Sequence, residues 1–184
     1  MLAPNFTPFP TLTTNRLVLR QITVEDAPEL FFMRTDEGVM KYIERPRPKD
    51  INDTITFINT ISDLRDKNEI ITWGIALKEN PKLIGTVVFL NLKKEHYRAE
   101  FGYALHPEYW RKGIMDEVAK AVIDYGFKVM KLHSIEANIN PENIASQKLL
   151  EKNGFVREAY FKENFFWEGK FLDSAIYCLL NPNR

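Results

Sequence analysis

The residues from Gly113 to Met130 carry the strongest periodic pattern in this 184-residue chain, and they narrow what it can fold into. Ile114, Val118, Ala121, Val122 and Tyr125 recur at the spacing of one helical face, while Asp116, Glu117, Lys120 and Asp124 fall mainly elsewhere. An amphipathic helix of this kind needs an apolar layer to lie on. The segments on either side read as strands, Ala99 to Leu105 before it and Ser134 to Ile139 after it.

The rest of the chain sorts by the same two periods. Residues 1–15 contain three prolines and read as an extended lead-in. Arg16 to Arg20 alternates charged and apolar residues, which predicts a strand. Thr23, with Asp26 three residues later, marks a helix start that continues through Leu30, Phe31 and Arg34. Pro46 and Pro48 exclude regular helix between there and Asp50. A second helix then runs to Asp66, with Ile51, Ile55, Ile58 and Ile61 at helical spacing. From Thr72 the period changes: Thr72 to Leu77 and Leu83 to Leu90 are strands around a turn at Glu79 to Lys82. Asn143 to Asn153 is a short helix stopped by Gly154, and strands at Phe155 to Phe161 and Leu172 to Leu180 close the chain. The expected order is β-α-α-β-β-β-α-β-α-β-β, one mixed α/β domain over residues 1–184.

Composition removes several function classes. Lys and Arg total 25 and Asp and Glu total 25, so no basic surplus suggests a nucleic-acid partner. Cys178 is the single cysteine, in an apolar run that reads as a buried strand. The three histidines, His96, His106 and His133, stand far apart, so no metal site is expected. The N-terminus lacks a signal-peptide pattern and nothing approaches a membrane span, so no membrane partner is expected and the cytoplasm is the expected location.

The chemistry concentrates where strand meets helix, in the stretch His106-Pro107-Glu108-Tyr109-Trp110-Arg111-Lys112-Gly113-Ile114-Met115. The first four amides of a helix have no internal acceptor, and the helix dipole adds positive potential there. Gly113 lets a ligand approach that backbone, and Arg111 and Lys112 add attraction for an anion. The stretch therefore reads either as a phosphate or pyrophosphate grip or as a basic surface turn with a glycine. The magnesium-holding P-loop pattern and the dinucleotide Gly-x-Gly-x-x-Gly are both absent. A phosphate grip without those features suits a carrier such as coenzyme A.

The run from Ala99 to Met115 resembles motif A of the GCN5-related N-acetyltransferases, and Asn140 to Phe155 resembles their motif B. Thr14 to Arg20 and Trp167-Glu168-Gly169-Lys170 are similar to the RimJ/RimL-like ribosomal-protein N-terminal acetyltransferase type. Trp110 stands where the superfamily has Gln or Arg, Arg111 where a small residue is usual, and Met115 where Gly or Ala is usual. The resemblance implies a GNAT fold, a mixed, mostly antiparallel central sheet with helices on both faces. It implies acetyl-CoA as cosubstrate and a primary amine as acceptor, first a protein N-terminal α-amine. A small-molecule amine such as a polyamine, amino acid or antibiotic is the alternative, and a non-catalytic CoA-binding module a further one.

The same resemblance assigns residues. Backbone groups of Ala104, Leu105 and His106 face the pantetheine and acetyl carbonyl, and Arg111, Lys112, Gly113, Ile114 and Met115 surround the pyrophosphate. Glu100 is the general base through water, or else an exposed strand glutamate paired with Arg98 or a neighbouring lysine. Asn143 touches the cofactor while serving as a helix cap. Ser146 protonates the departing thiolate, or else packs between helices. Phe165 takes the place of the group's other acid, with Glu163 nearby and Tyr160 as an alternative. Substrate selection falls to the two N-terminal helices, the Glu44 to Lys49 connection and the aromatic stretch Phe161 to Phe171. In that stretch Phe161, Phe165, Phe166 and Trp167 either line an acceptor groove or pack at a homodimer contact.

Overall fold

The computed structural model describes residues 1–183. Strands β1 (Leu12–Thr13) and β2 (Leu17–Gln21) lead into helices α1 (Ala27–Thr35), α2 (Glu37–Met40) and α3 (Ile51–Asp66). Then come β3 (Ile71–Leu77), β4 (Asn80–Lys93), β5 (Arg98–Leu105), α4 (Ile114–Lys128), β6 (Ser134–Ile139), α5 (Ile144–Lys152), β7 (Val156–Trp167) and β8 (Lys170–Leu180). The strands form one sheet in the order β1-β2-β3-β4-β5-β6-β8-β7. Every neighbouring pair is antiparallel except β5 with β6.

Local chemistry explains several of the helix ends. Asp50 caps α3 by accepting from the amides of Asn52 at 2.7 Å and Asp53 at 3.2 Å. At the expected Thr23 start, the Asp26 carboxylate accepts from the Thr23 amide at 2.9 Å. That turn is a short 3-10 segment ahead of α1, and Arg20 holds Asp26 from the sheet at 2.6 Å. Gly154 ends α5 at φ 87°.

The departures from expectation also have reasons. The lead-in contributes a two-residue strand, β1, paired with β2. The β3–β4 hairpin turns at Lys78-Glu79 rather than over Glu79 to Lys82, so Pro81 lies inside β4. Pairing with β5 reaches only Gly85, so the amide that Pro81 lacks is not needed on that side. β7 runs six residues past Phe161, and nearly all of it is exposed. An outermost strand wet on both faces has no alternation to detect.

Apolar side chains gather on both sides of the sheet. On one side α4 and α5 bring Ile114, Val118, Val122 and Leu150 against Leu19, Trp73, Phe89, Phe101 and Ile135. Trp73 is fully buried there, yet its indole nitrogen donates to the Pro10 carbonyl at 2.7 Å. Gly126 lets α4 settle onto the sheet, because an added Cβ would lie 2.9 Å from the Phe89 ring. On the other side α1 and α3 place Leu30, Met33, Ile58 and Ile61 against Ile22 and Leu83. The phase of α4 is turned slightly from expectation, so Ala119 is buried and Ala121 only half-buried. Among the described residues no helix is long and apolar enough to cross a membrane.

Candidate active site

The sheet opens at its centre. β5 and β6 pair in parallel only at Arg98↔Ser134, Ala99↔Ile135 and Glu100↔Glu136. Beyond that point β5 stays with β4 as far as Leu105↔Gly85, while β6 stays with β8 as far as Ile139↔Ala175. The two strands therefore diverge, leaving the β5 edge from Phe101 to Leu105 without a strand partner on the β6 side. An extended ligand chain can lie against such an edge and use its backbone groups.

At the wide end of this cleft the connection from β5 to α4 is fixed from several directions. The His106 amide donates to the Ile84 carbonyl at 2.8 Å, and the Trp110 indole donates to the Leu105 carbonyl at 2.7 Å. Two of the backbone groups expected to face a ligand thus already have partners within the chain. The His106 ring stacks on Phe32 of α1 at 4.6 Å. Arg111 and Gly113 both adopt left-handed backbone, at φ 59° and 70°, and Gly113 is the N-cap of α4. The six successive amides from Arg111 to Asp116 have no acceptor among the described residues. A turn that points amides outward at a helix start is a cradle for an anion, here beside the exposed Arg111 and Lys112.

That cradle is braced by the N-terminal segment. Glu117, in the first turn of α4, accepts from the Arg16 amide at 2.8 Å and from Arg16 Nε at 2.7 Å, and also from the Thr14 hydroxyl. Arg16 Nη1 in turn donates to the Lys112 carbonyl at 3.0 Å. These bonds hold the Glu117 carboxyl below its usual range, although burial alone would push it up. Asp116 ties α4 to α5 by accepting from Lys120 at 2.9 Å, Lys152 at 3.0 Å and Asn153 at 3.1 Å. The hydrogen bonds from Lys120 and Lys152 lower its carboxyl to about 2.

Inside the cleft, the Tyr103 and Ser146 hydroxyls lie 2.7 Å apart. Tyr103 comes from the free part of β5 and Ser146 from the first turn of α5. Burial pushes the Tyr103 phenol up to about 12. Asn143 caps α5, its side-chain Oδ1 accepting from the Ser146 amide at 3.1 Å. Glu100 lies on the opposite face of the sheet from Ser146, as alternation along β5 requires. It accepts from Asn91 Nδ2 at 2.7 Å. Arg98 does not pair with it, because its guanidinium bonds Glu136 instead and also lies 3.2 Å from the Cys178 sulfur. Asn91, Leu92, Lys93, Arg98, Ala99, Glu100 and Glu136 line a cavity of about 320 Å³.

The remaining expected residues lie apart from the two hydroxyls. Tyr160 donates to Asp173, and the Glu163 amide donates to the same carboxylate at 2.8 Å. Both therefore belong to a polar contact across the β7–β8 hairpin, which also exposes Phe161, Phe165, Phe166 and Phe171. The Glu44 connection reaches the end of β6, where Asn140 Nδ2 donates to Glu44 at 3.1 Å. Among the described residues no group of His, Cys, Asp or Glu could hold a metal. Sequence reasoning missed Tyr103, Glu117 and the bracing part of Trp110. Strand alternation places Tyr103 on the α4 and α5 face, but its partner is 43 residues away and no local signal names it.

Comparison with known proteins supplies the context for this geometry. Residues 16–156 match the family model described as an acetyltransferase (GNAT) domain. An uncharacterised N-acetyltransferase of Bacillus subtilis, YoaA, is 37% identical over 176 residues, 96% of this chain and 99% of the relative. Two Escherichia coli proteins are each 27% identical. One is the ribosomal protein uS5-alanine N-acetyltransferase, matched over 94% of this chain and 91% of its own length. The other is spermidine N(1)-acetyltransferase, over 88% and 84%. The crystal structure of a GNAT-family acetyltransferase from Bacillus anthracis superposes with a TM-score of 0.82 at 33% identity, covering 94% of this chain and 99% of that one.

Proposed function

The chain belongs to the GNAT acetyltransferase family, and we propose that this acetyl-CoA-dependent N-acetyltransferase takes the α-amine of a protein N-terminus as its acceptor. The observation that carries the reading is the divergence of β5 and β6, with hydroxyls on one face of the opening and Glu100 on the other. A ligand chain held in that opening has its reacting end between a base and a hydrogen-bond donor.

Acetyl-CoA supplies the activated acetyl group as a thioester; the residues of this chain do the rest. The amides from Arg111 to Asp116 hold the pyrophosphate, helped by the charges of Arg111 and Lys112, with Gly113 keeping the turn open and Ile114 and Met115 beginning the helix. The β5 edge at Ala104, Leu105 and His106 lines the pantetheine with the groups left after the His106 amide and the Leu105 carbonyl are bonded within the chain, and Asn143 shapes the other wall while capping α5. Glu100 accepts the amine proton through water, which frees the nitrogen lone pair for attack. Backbone amides at the β5 edge stabilise the oxyanion. Ser146 donates to the sulfur as the carbon–sulfur bond breaks, so the thiolate leaves hydrogen-bonded.

For the acceptor, support comes from the apolar surface beside the cleft. Ala175 of β8 pairs with Ile139, at the wide end of the cleft, on one side and with Tyr160 on the other, so the hairpin beyond Tyr160 extends past the cleft mouth. The four exposed phenylalanines there offer an extended polypeptide more contact than a polyamine could use. The test is a mass-spectrometric screen of alanine- and serine-initiated peptides against spermidine and free amino acids. Peptide acetylation restricted to the α-amine supports the assignment. Turnover of spermidine alone would move the acceptor to the small amines, and no turnover with any amine would leave a CoA-binding module.

A further inference from the structure

We infer that Tyr103 is a positioning residue for the reaction, aiming the Ser146 hydroxyl hydrogen into the cleft by donating its own to Ser146 Oγ. The inference rests on the proposed part of Ser146 as donor to the departing thiolate and adds a residue to it.

The argument begins with how many partners a serine hydroxyl can take. It has one hydrogen and two lone pairs. In the first turn of a helix such a side chain often folds back onto neighbouring backbone groups. Ser146 does not, for its Oγ has Tyr103 as its hydrogen-bond partner at 2.7 Å. The Ser146 amide is separately held by Asn143, so the backbone beneath the hydroxyl is fixed. Only the direction of the hydroxyl–hydroxyl bond is left to chemistry. A phenol is the stronger acid and its oxygen, conjugated with the ring, the weaker acceptor; an alkyl hydroxyl is the reverse. The bond therefore runs from Tyr103 to Ser146, and the serine hydrogen points away from the tyrosine.

The tyrosine is held well enough to do this. Its ring packs at 5.2 Å from Phe101 on the same strand, and Tyr103 is paired with Val87 of β4. Burial disfavours the phenolate, so the donor keeps its hydrogen through the ordinary working range of pH. Motion of Ser146 is limited by the α5 cap, and motion of Tyr103 by two packed strands. No proton leaves Tyr103 in the step: Ser146 stays a hydrogen-bond donor to sulfur while remaining an acceptor from the phenol.

The experiment reads the bound product rather than turnover, so it needs no acceptor. CoA thiolate absorbs in the ultraviolet, and a pH titration of the CoA complex, referenced to the complex with desulfo-CoA, gives the titration midpoint of the bound thiol. A donor aimed at sulfur stabilises the thiolate and lowers that midpoint. Tyr103→Phe, which removes only the hydroxyl, is expected to raise it by about half a pH step or more, the equivalent of one modest hydrogen bond. Ser146→Ala should raise it further, and the double variant should match Ser146→Ala, because Tyr103 acts only through the serine. CoA affinity and melting temperature of Tyr103→Phe should stay near those of the parent.

If Tyr103→Phe titrates as the parent does, or if the double variant is shifted beyond Ser146→Ala, Tyr103 does not act through Ser146 and the inference fails. If Ser146→Ala itself leaves the midpoint unchanged, the donor assignment fails first, a result separable from the other two by the single variant alone.

Discussion

Gly113→Ala tests whether the turn before α4 grips its ligand with backbone. An added Cβ there meets only Arg16 Nη2, at 3.7 Å, an ordinary van der Waals contact. The cost to the fold is then the left-handed backbone alone, about 1–2 kcal/mol for an alanine held at φ 70°. Gly154 supplies an internal control: it sits at φ 87°, and its added Cβ would lie 3.4 Å from Leu179. Gly154→Ala therefore carries a similar backbone cost at the far end of α5. For a chain of this length each change should lower Tm by roughly 2–8 °C. Only Gly113→Ala puts its strain into the amides from Arg111 to Asp116. Misplacing even one charge-assisted hydrogen bond costs about 1.5–3 kcal/mol, a loss of about 10- to 100-fold in acetyl-CoA affinity. Calorimetric titration of both variants, with melting curves alongside, separates the two effects. An unchanged affinity in Gly113→Ala, or an equal loss in Gly154→Ala, would refute the backbone grip.

Three other perturbations follow from the same geometry. Glu100→Gln should reduce kcat by about 10²- to 10⁴-fold and leave the acetyl-CoA Kd unchanged; steady-state kinetics with calorimetry would check this, and near-normal turnover removes Glu100 as base. Asp116 is lowered to about 2 from an ordinary 3.8, so its contribution to stability is fully present above about pH 4 and disappears as pH falls through about 2. Comparing parent and Asp116→Asn by denaturant unfolding, the stability difference should shrink across that window and be flat from pH 5 to 8. Trp110→Phe removes the indole donor to the Leu105 carbonyl, worth about 1 kcal/mol, and should raise the KM for acetyl-CoA several-fold through a looser turn. Hydrogen exchange at the residue 111–114 amides should speed up in parallel, and unchanged exchange would count against the brace.

How far residues alone could carry this reading depended on whether each interaction was local. Helices α3 and α4 and the stop at Gly154 rest on short-range patterns, and their bounds lie within about two residues of where spacing put them, although α4 is turned slightly in phase. The turn before α4 was legible because a helix start and its glycine are consecutive. The Glu117 brace was not, since Thr14 and Arg16 lie about a hundred positions away and the glutamate reads as one more charge on a wet helix face. Tyr103 and Ser146 meet only because β5 leaves β6, and no spacing rule encodes a strand pair that separates. Glu100 shows the limit within one strand. Its neighbour Arg98 offered an obvious partner two residues away, but parallel pairing put Glu136 closer to that guanidinium. The length of β7 escaped for the opposite reason, since an outer strand has no buried face to constrain its residues.

The place of β8 bears on how the protein is made. It follows β7 in sequence, yet it lies between β6 and β7. During synthesis β6, one wall of the cleft, and β7 both emerge before the strand that joins them, so the sheet cannot close across this half until Lys170–Leu180 leaves the ribosome. A ribosome stalled after Trp167, or a frameshift ahead of Lys170, would leave not a slightly shortened enzyme but an interior gap. Two long strand edges would then be left unpaired and open to chaperones and proteases.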